Sequence, residues 1–142
     1  MNSGLALLVC AVFIVLAAWH FFMAFGSASN ESVAVPSVGG SPLFVPSKAA
    51  TIAVGMVLIL FAVLVAATSG MLSLGLAPGI LKWCSYALAL GLFARAIGEF
   101  KYVGFFKKVR GSPFARMDTI LYSPLCLLLA IGVALVARQN AA

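Results

Sequence analysis

Charged side chains are scarce in this sequence of 142 residues. Asp, Glu, Lys and Arg together make up 8% of the residues, whereas apolar residues make up 64%. A soluble domain carries about 25% charged residues, and a domain of this size buries only part of its apolar surface. The composition therefore excludes a water-soluble fold and predicts one integral membrane domain over residues 1–142.

The sequence also has a single histidine and no closely spaced pair of cysteines, which excludes several kinds of site. The single histidine, His20, cannot form a haem site with two histidine ligands. The three cysteines lie in or beside apolar runs without a CxxC pair, which argues against a disulfide framework and against a thiol oxidoreductase. His20, Glu99 and Asp118 are only a loose match to a metal-ligand set, so we expect no metal and no cofactor.

Long apolar runs are what the sequence has in abundance. Each is close to the ~20 residues with which a helix crosses a bilayer core of about 30 Å, and backbone groups in lipid must be bonded within their own segment. The sequence thus predicts an all-α fold, a bundle of four transmembrane helices. The four runs cover residues 5–25, 49–68, 80–100 and 119–137.

Basic and aromatic residues alternate in the connection between the third and fourth runs, Lys101 to Met117. Rings and long basic side chains suit the headgroup layer, so we predict an interfacial loop in which Lys107, Lys108 and Arg110 contact anionic headgroups of the bilayer. Much of the net charge of +6 comes from this loop. Because bases beside spans are typical of membrane topology, we expect no nucleic-acid partner.

Polar residues of three predicted spans fall at one depth. His20 and Arg95 each precede the end of their span by about five residues, whereas Asp118 opens the fourth span and Tyr122 follows one turn later. At ~1.5 Å per residue, His20, Arg95 and Tyr122 lie roughly 6–8 Å below the same membrane face. Ionisable groups are costly in the bilayer, so we predict a candidate site made of His20, Arg95, Glu99, Asp118 and Tyr122.

Each of these residues also has a purely structural interpretation. Arg95 and Glu99 are four residues apart, which favours an ion pair within the third span. Asp118 stands where an N-cap of the fourth span is expected. His20 beside Trp19 is typical of the membrane interface.

Pro124 interrupts the fourth span close to this site. Proline lacks a backbone N–H, so it leaves the carbonyl of Ile120 without its helical partner. We predict a kink at this point and expect the Ser123 hydroxyl to help satisfy the carbonyl. A kink of this kind would also open a cleft beside Tyr122.

Several motifs give the chain a family resemblance. They are His20–Gly26, Val35–Pro36 with Gly40–Pro46, and Arg95–Phe100 with Phe114–Asp118 and Tyr122–Cys126. In these motifs the chain resembles a bacterial family of small four-span integral membrane proteins that is known as a domain of unknown function. The resemblance implies a four-helix membrane fold and brings no activity with it. For a bacterial multi-pass protein we expect the inner (plasma) membrane.

Three classes of function remain open at this point. The first is a small accessory membrane protein, or one that binds a lipid or another small molecule, alone or with a homo-oligomeric or membrane partner. The second is a membrane-embedded enzyme acting on a lipid or isoprenoid substrate. The third is a proton-linked transporter of small solutes that acts as an oligomer. Whether the protein is an enzyme is not decided by its residues.

The distribution of bases predicts the orientation of the chain. The first and third connections carry six bases, namely Lys48, Lys101, Lys107, Lys108, Arg110 and Arg116. The opposite face carries Lys82 and Arg138. Because basic loops stay in the cytoplasm, a tag inserted at Gly111 should be cytoplasmic, and a reporter fused after Ala142 should be outside. The reverse readings in a paired reporter assay would overturn this orientation.

Overall fold

The computed structural model describes residues 3–26 and 34–139, and most of these residues are helical. Four helical segments are long and apolar enough to cross a membrane, which confirms the predicted fold class. The helices are α1 (Ser3–Phe25), α2 (Lys48–Thr68), α3 (Pro78–Ile97), α4 (Pro113–Met117) and α5 (Ser123–Gln139). A π-helical turn, Asp118–Tyr122, joins α4 to α5, so that the fourth span runs over Pro113–Gln139.

Two helix ends differ from the predicted bounds by three residues or more. Helix α3 ends at Ile97, because Gly98 has a φ of +85° and turns the chain away from the helix. The fourth span begins at Pro113, earlier than predicted, because the Ser112 hydroxyl accepts a hydrogen bond of 3.1 Å from Ala115 N–H. Proline directly after an N-cap serine is a favoured helix start.

The first connection is irregular, as its glycines and prolines predict. Within the described part, Ser37–Val38 (β1) and Ser41–Pro42 (β2) form a two-stranded antiparallel hairpin in which Ser37 pairs with Pro42. Helix α2 begins directly after Ser47, whose hydroxyl accepts a hydrogen bond of 3.1 Å from Ala50 N–H.

The helices pack as two close pairs, α1 with α2 and α3 with α5. The core between them includes Phe13, Val65 and Val133, each fully buried. Close approach uses small residues: a Cβ on Gly55 would lie 2.7 Å from the ring of Phe21. Small residues at such contacts are typical of helices that pack in lipid.

A buried polar contact joins α2 to α3 away from the predicted site. The hydroxyls of Thr68 and Ser85 lie 2.8 Å apart, and Thr68 also donates to the carbonyl of Leu81 over 3.4 Å. Each hydroxyl therefore has a partner in the apolar interior, as buried polar groups require.

The loop Gly98–Ser112 folds back against the end of α3. Phe105 N–H donates to the carbonyl of Ala96 over 2.9 Å, which holds the loop to the last turn of the helix. The chain crosses itself closely at Gly98 and Gly104. A Cβ on Gly98 would overlap backbone atoms of Val103 and Gly104, and a Cβ on Gly104 would overlap backbone atoms of Ile97 and Gly98. Both glycines have positive φ, +85° and +91°, a region that residues with a side chain rarely adopt. Only glycine fits this crossing.

We therefore expect Gly98→Ala to lower the free energy of unfolding in mild detergent by at least about 2–3 kcal/mol, because it adds overlap to backbone strain. Gly111→Ala is the matched control, since a Cβ at Gly111 meets nothing within 4 Å. Thermal or denaturant unfolding of the two variants compares them. Equal stability would mean that the crossing is not tight in solution.

Candidate functional site

The carboxylate of Asp118 is fully buried and accepts three hydrogen bonds. Its Oδ1 accepts from Arg95 Nη2 over 2.9 Å, and its Oδ2 accepts from Gly104 N–H over 2.7 Å and from Lys107 Nζ over 2.9 Å. The donors come from α3 and from the loop Gly98–Ser112. One carboxylate therefore ties three segments together with charge-assisted bonds, which are roughly twice as strong as neutral ones.

Lys107 is the second buried charge of this site, with 2% of its surface exposed. Its ammonium group lies 2.9 Å from the carbonyl of Gly104, 2.9 Å from Asp118 Oδ2 and 2.6 Å from Thr119 Oγ1. Lysine has three donors, so all three are used. We call Arg95, Gly104, Lys107, Asp118 and Thr119 the Asp118 cluster.

The burial of Lys107 corrects one prediction. Its ammonium group is enclosed by the Asp118 cluster, so it does not face the headgroup layer. The neighbouring Lys108 and Arg110 are exposed, and contact with anionic headgroups stays a prediction for these two.

The ion pair predicted between Arg95 and Glu99 is wrong. Helix α3 ends at Ile97, so the spacing of four residues no longer places the two side chains on one helical face. Arg95 pairs with Asp118 across 23 residues, while Glu99 Oε1 accepts a hydrogen bond of 3.0 Å from Tyr102 N–H. Glu99 is exposed and closes a turn at the start of the loop.

The N-cap interpretation of Asp118 is also wrong. Asp118 has helical backbone angles, φ −62° and ψ −40°, and follows α4 directly. The N-cap of this span is Ser112, directly before Pro113, so the Asp118 carboxylate has no capping role. Its position inside the span is what allows it to face α3 and the loop.

The π-helical turn lies directly before Pro124. Ser123 N–H donates to the carbonyl of Asp118, five residues earlier, so the turn is wider than an α-helical turn. The prediction that the Ser123 hydroxyl satisfies a backbone carbonyl is wrong, since its Oγ is buried without a hydrogen-bond partner. Arg95 Nη1 is the other buried side-chain atom without one among the described residues.

Two further predicted residues, His20 and Tyr122, make contacts within their own spans. His20 Nδ1 is 2.7 Å from the carbonyl of Leu16, so the ring donates within its own helix. Tyr122 belongs to the π-helical turn, and its ring packs against Phe114 with centroids 6.0 Å apart. Arg95 and Asp118 are thus brought into direct contact, whereas His20 and Glu99 have no hydrogen bond or ion pair with the Asp118 cluster among the described residues.

Sequence reasoning missed Gly104, Lys107 and Thr119 as members of the cluster. Lys107 and Lys108 are adjacent and chemically identical, so composition does not show which of them is buried. The one available signal was the pair Gly98 and Gly104, because two glycines in a short basic loop indicate a tight chain reversal. Within the described residues, no three His, Cys, Asp or Glu side chains gather as a metal site.

The two neighbouring lysines provide a matched test of the cluster. Lys107→Met should lower the free energy of unfolding in mild detergent by about 1.5–3 kcal/mol, because it removes a charge-assisted hydrogen bond from the buried carboxylate of Asp118 and a donor from the Gly104 carbonyl. Lys108→Met should change it by less than about 0.5 kcal/mol, since Lys108 is exposed. Equal losses in the two variants, measured by thermal unfolding, would contradict the buried assignment.

The comparisons with known proteins place the chain in a family. Neither a curated protein nor a solved structure matches it. Residues 13–133 match a family described as protein of unknown function, DUF3995. The four apolar helices agree with a small multi-pass membrane protein. Because the match covers most of the chain, the protein belongs to the DUF3995 family.

Proposed function

We propose that this protein is a non-catalytic accessory membrane protein that binds anionic lipid headgroups through the loop Gly98–Ser112. The observation that carries the proposal is the enclosed state of Lys107 and Asp118. Every donor of Lys107 is used inside the cluster, and the carboxylate of Asp118 has no exposed surface. These two groups are arranged to hold the loop in place.

The loop that the cluster holds presents apolar rings and bases outward. Phe100 and Phe106 are 57% and 62% exposed, and their ring centroids lie 6.4 Å apart. Lys101, Lys108 and Arg110 are exposed in the same loop. We call these five residues the platform. Two adjacent rings beside bases suit the boundary between acyl chains and anionic headgroups.

The backbone of the loop that carries the platform has a defined conformation. Phe100 has a φ of +66°, which is unusual for a bulky residue and persists only where the surroundings enforce it. The carbonyl of Lys101 accepts hydrogen bonds from both Lys108 and Val109 N–H, over 3.2 and 2.9 Å. These bonds close the loop and bring its two exposed lysines to one end.

The other two functions gain less support from the contacts. A proton-linked transporter, or an enzyme that uses acid and base, needs the titratable groups of the site to face a common cleft. His20 is bonded to Leu16 in its own helix, and the carboxylate of Asp118 is held by three donors. A lipid-binding role requires only the exposed platform and the cluster that holds it.

Spin-labelled lipids test this proposal in reconstituted bilayers. The protein should restrict phosphatidylglycerol more than phosphatidylcholine. The double change Lys108→Gln with Arg110→Gln should reduce that preference by at least about fivefold, since even a single base near the surface contributes about 1 kcal/mol. Raised salt should weaken the wild-type preference, because exposed charges are screened.

The matched control is the double change Lys82→Gln with Arg138→Gln, which removes the two bases predicted at the opposite face. It should leave most of the preference in place. Equal losses in both double variants would assign the preference to net charge alone, and a wild type without any preference would contradict the proposal outright.

A further inference from the structure

The Asp118 cluster carries more positive than negative charge. Arg95 and Lys107 are cations, whereas Asp118 is the one anion bonded to them. The cluster therefore has a formal charge of +1 at the edge of an apolar bundle. Buried charges are stable where they are paired, so the cluster is one anion short of balance.

The unbalanced charge coincides with unused donors. Arg95 Nη1 and Ser123 Oγ are the two buried side-chain atoms of the described residues that lack a hydrogen-bond partner. Ser123 has no exposed surface. Native proteins keep few such groups, because a buried donor without an acceptor loses its bonds to water. An acceptor with a negative charge would satisfy both atoms and balance the excess charge of the cluster.

Both residues lie where α3 meets the fourth span. Arg95 Nη2 donates a hydrogen bond to the carboxylate of Asp118, and the backbone N–H of Ser123 donates to the backbone carbonyl of Asp118. Asp118 is therefore bonded to both residues that carry an unused donor. The Arg95 side chain is 36% exposed, so it also reaches the surroundings of the bundle.

The depth of Arg95 favours an anion of the membrane itself. Helix α3 has 20 residues and spans about 30 Å, and Arg95 lies two residues, or about 3 Å, before its end at Ile97. This level is the boundary of the hydrocarbon core, next to the phosphates of the surrounding leaflet. The planar guanidinium group of arginine matches the geometry of phosphate oxygens.

We propose that Arg95 and Ser123 bind the phosphate of one phospholipid that lies against α3 and the fourth span. The phosphate would accept hydrogen bonds from Arg95 Nη1 and Ser123 Oγ while Arg95 Nη2 stays on Asp118. Both donor atoms are covered in the structure, so the side chains over them have to move as the lipid enters. This site is separate from the platform, which presents its bases to many headgroups.

Two buried serines make the test specific. Ser123 lacks a hydroxyl partner, whereas Ser85 is equally buried and bonded to Thr68. The delipidated protein is mixed with phosphatidylglycerol in detergent, and the bound lipid is measured by native mass spectrometry. Ser123→Ala should weaken retention by about tenfold, while the stability without lipid stays equal or rises, since an unused buried hydroxyl is removed. Ser85→Ala should lose stability and keep the lipid.

Further measurements identify the source of the phosphate and distinguish this lipid site from lipid binding at the platform. Diacylglycerol with the same chains should be retained at least about tenfold less than phosphatidylglycerol, because it lacks the phosphate. If millimolar inorganic phosphate displaces the lipid, the result supports a phosphate-binding site and shows that free phosphate is a ligand as well. The double change Lys108→Gln with Arg110→Gln should spare this bound lipid even where it abolishes the bilayer preference. Equal retention by Ser123→Ala and wild type, or equal retention of diacylglycerol, would overturn the proposal.

Discussion

The carboxylate of Asp118 is the contact on which the membrane-face end of the protein depends. A charge with no exposed surface in an apolar bundle is stable only with cations and hydrogen bonds around it. Arg95 supplies one cation from α3, and Lys107 supplies the other from the loop. Because the two cations belong to different segments, satisfying the carboxylate also places the loop Gly98–Ser112 on the bundle.

The loop can reach the carboxylate only because its backbone is compact. Gly98 turns the chain out of α3, and Gly104 crosses it closely enough to donate its N–H to Asp118. The same fold buries Lys107 and leaves Lys108 exposed. Structural stabilisation and the outward display of bases and rings are therefore two results of one chain reversal. Arg95 Nη1 and Ser123 Oγ have no hydrogen-bond partner, and a second anion beside Asp118 would complete the charge balance of the cluster.

The four spans follow from local properties of the sequence. Run length and hydropathy decide whether a segment can cross a bilayer, and neither depends on distant contacts. Helix ends were less predictable, although their signals were present. Ser112 followed by Pro113 is an N-cap signal, and Gly98 is a stop signal, yet both stand in a segment whose charge indicates a loop.

The pairing of the charges could not be obtained from spacing. Arg95 and Glu99 satisfy the helical rule for an ion pair, but that rule holds only while the helix continues, and α3 ends between them. Lys107 and Lys108 have the same chemistry, and their burial depends on how the loop crosses Gly98. Apolar length and the choice of residue types thus specify a four-span bundle with its charges near one face. The partner of each charge depends on contacts between residues far apart in the chain, because a chain reversal and a side chain buried by it exist only after the segments have packed.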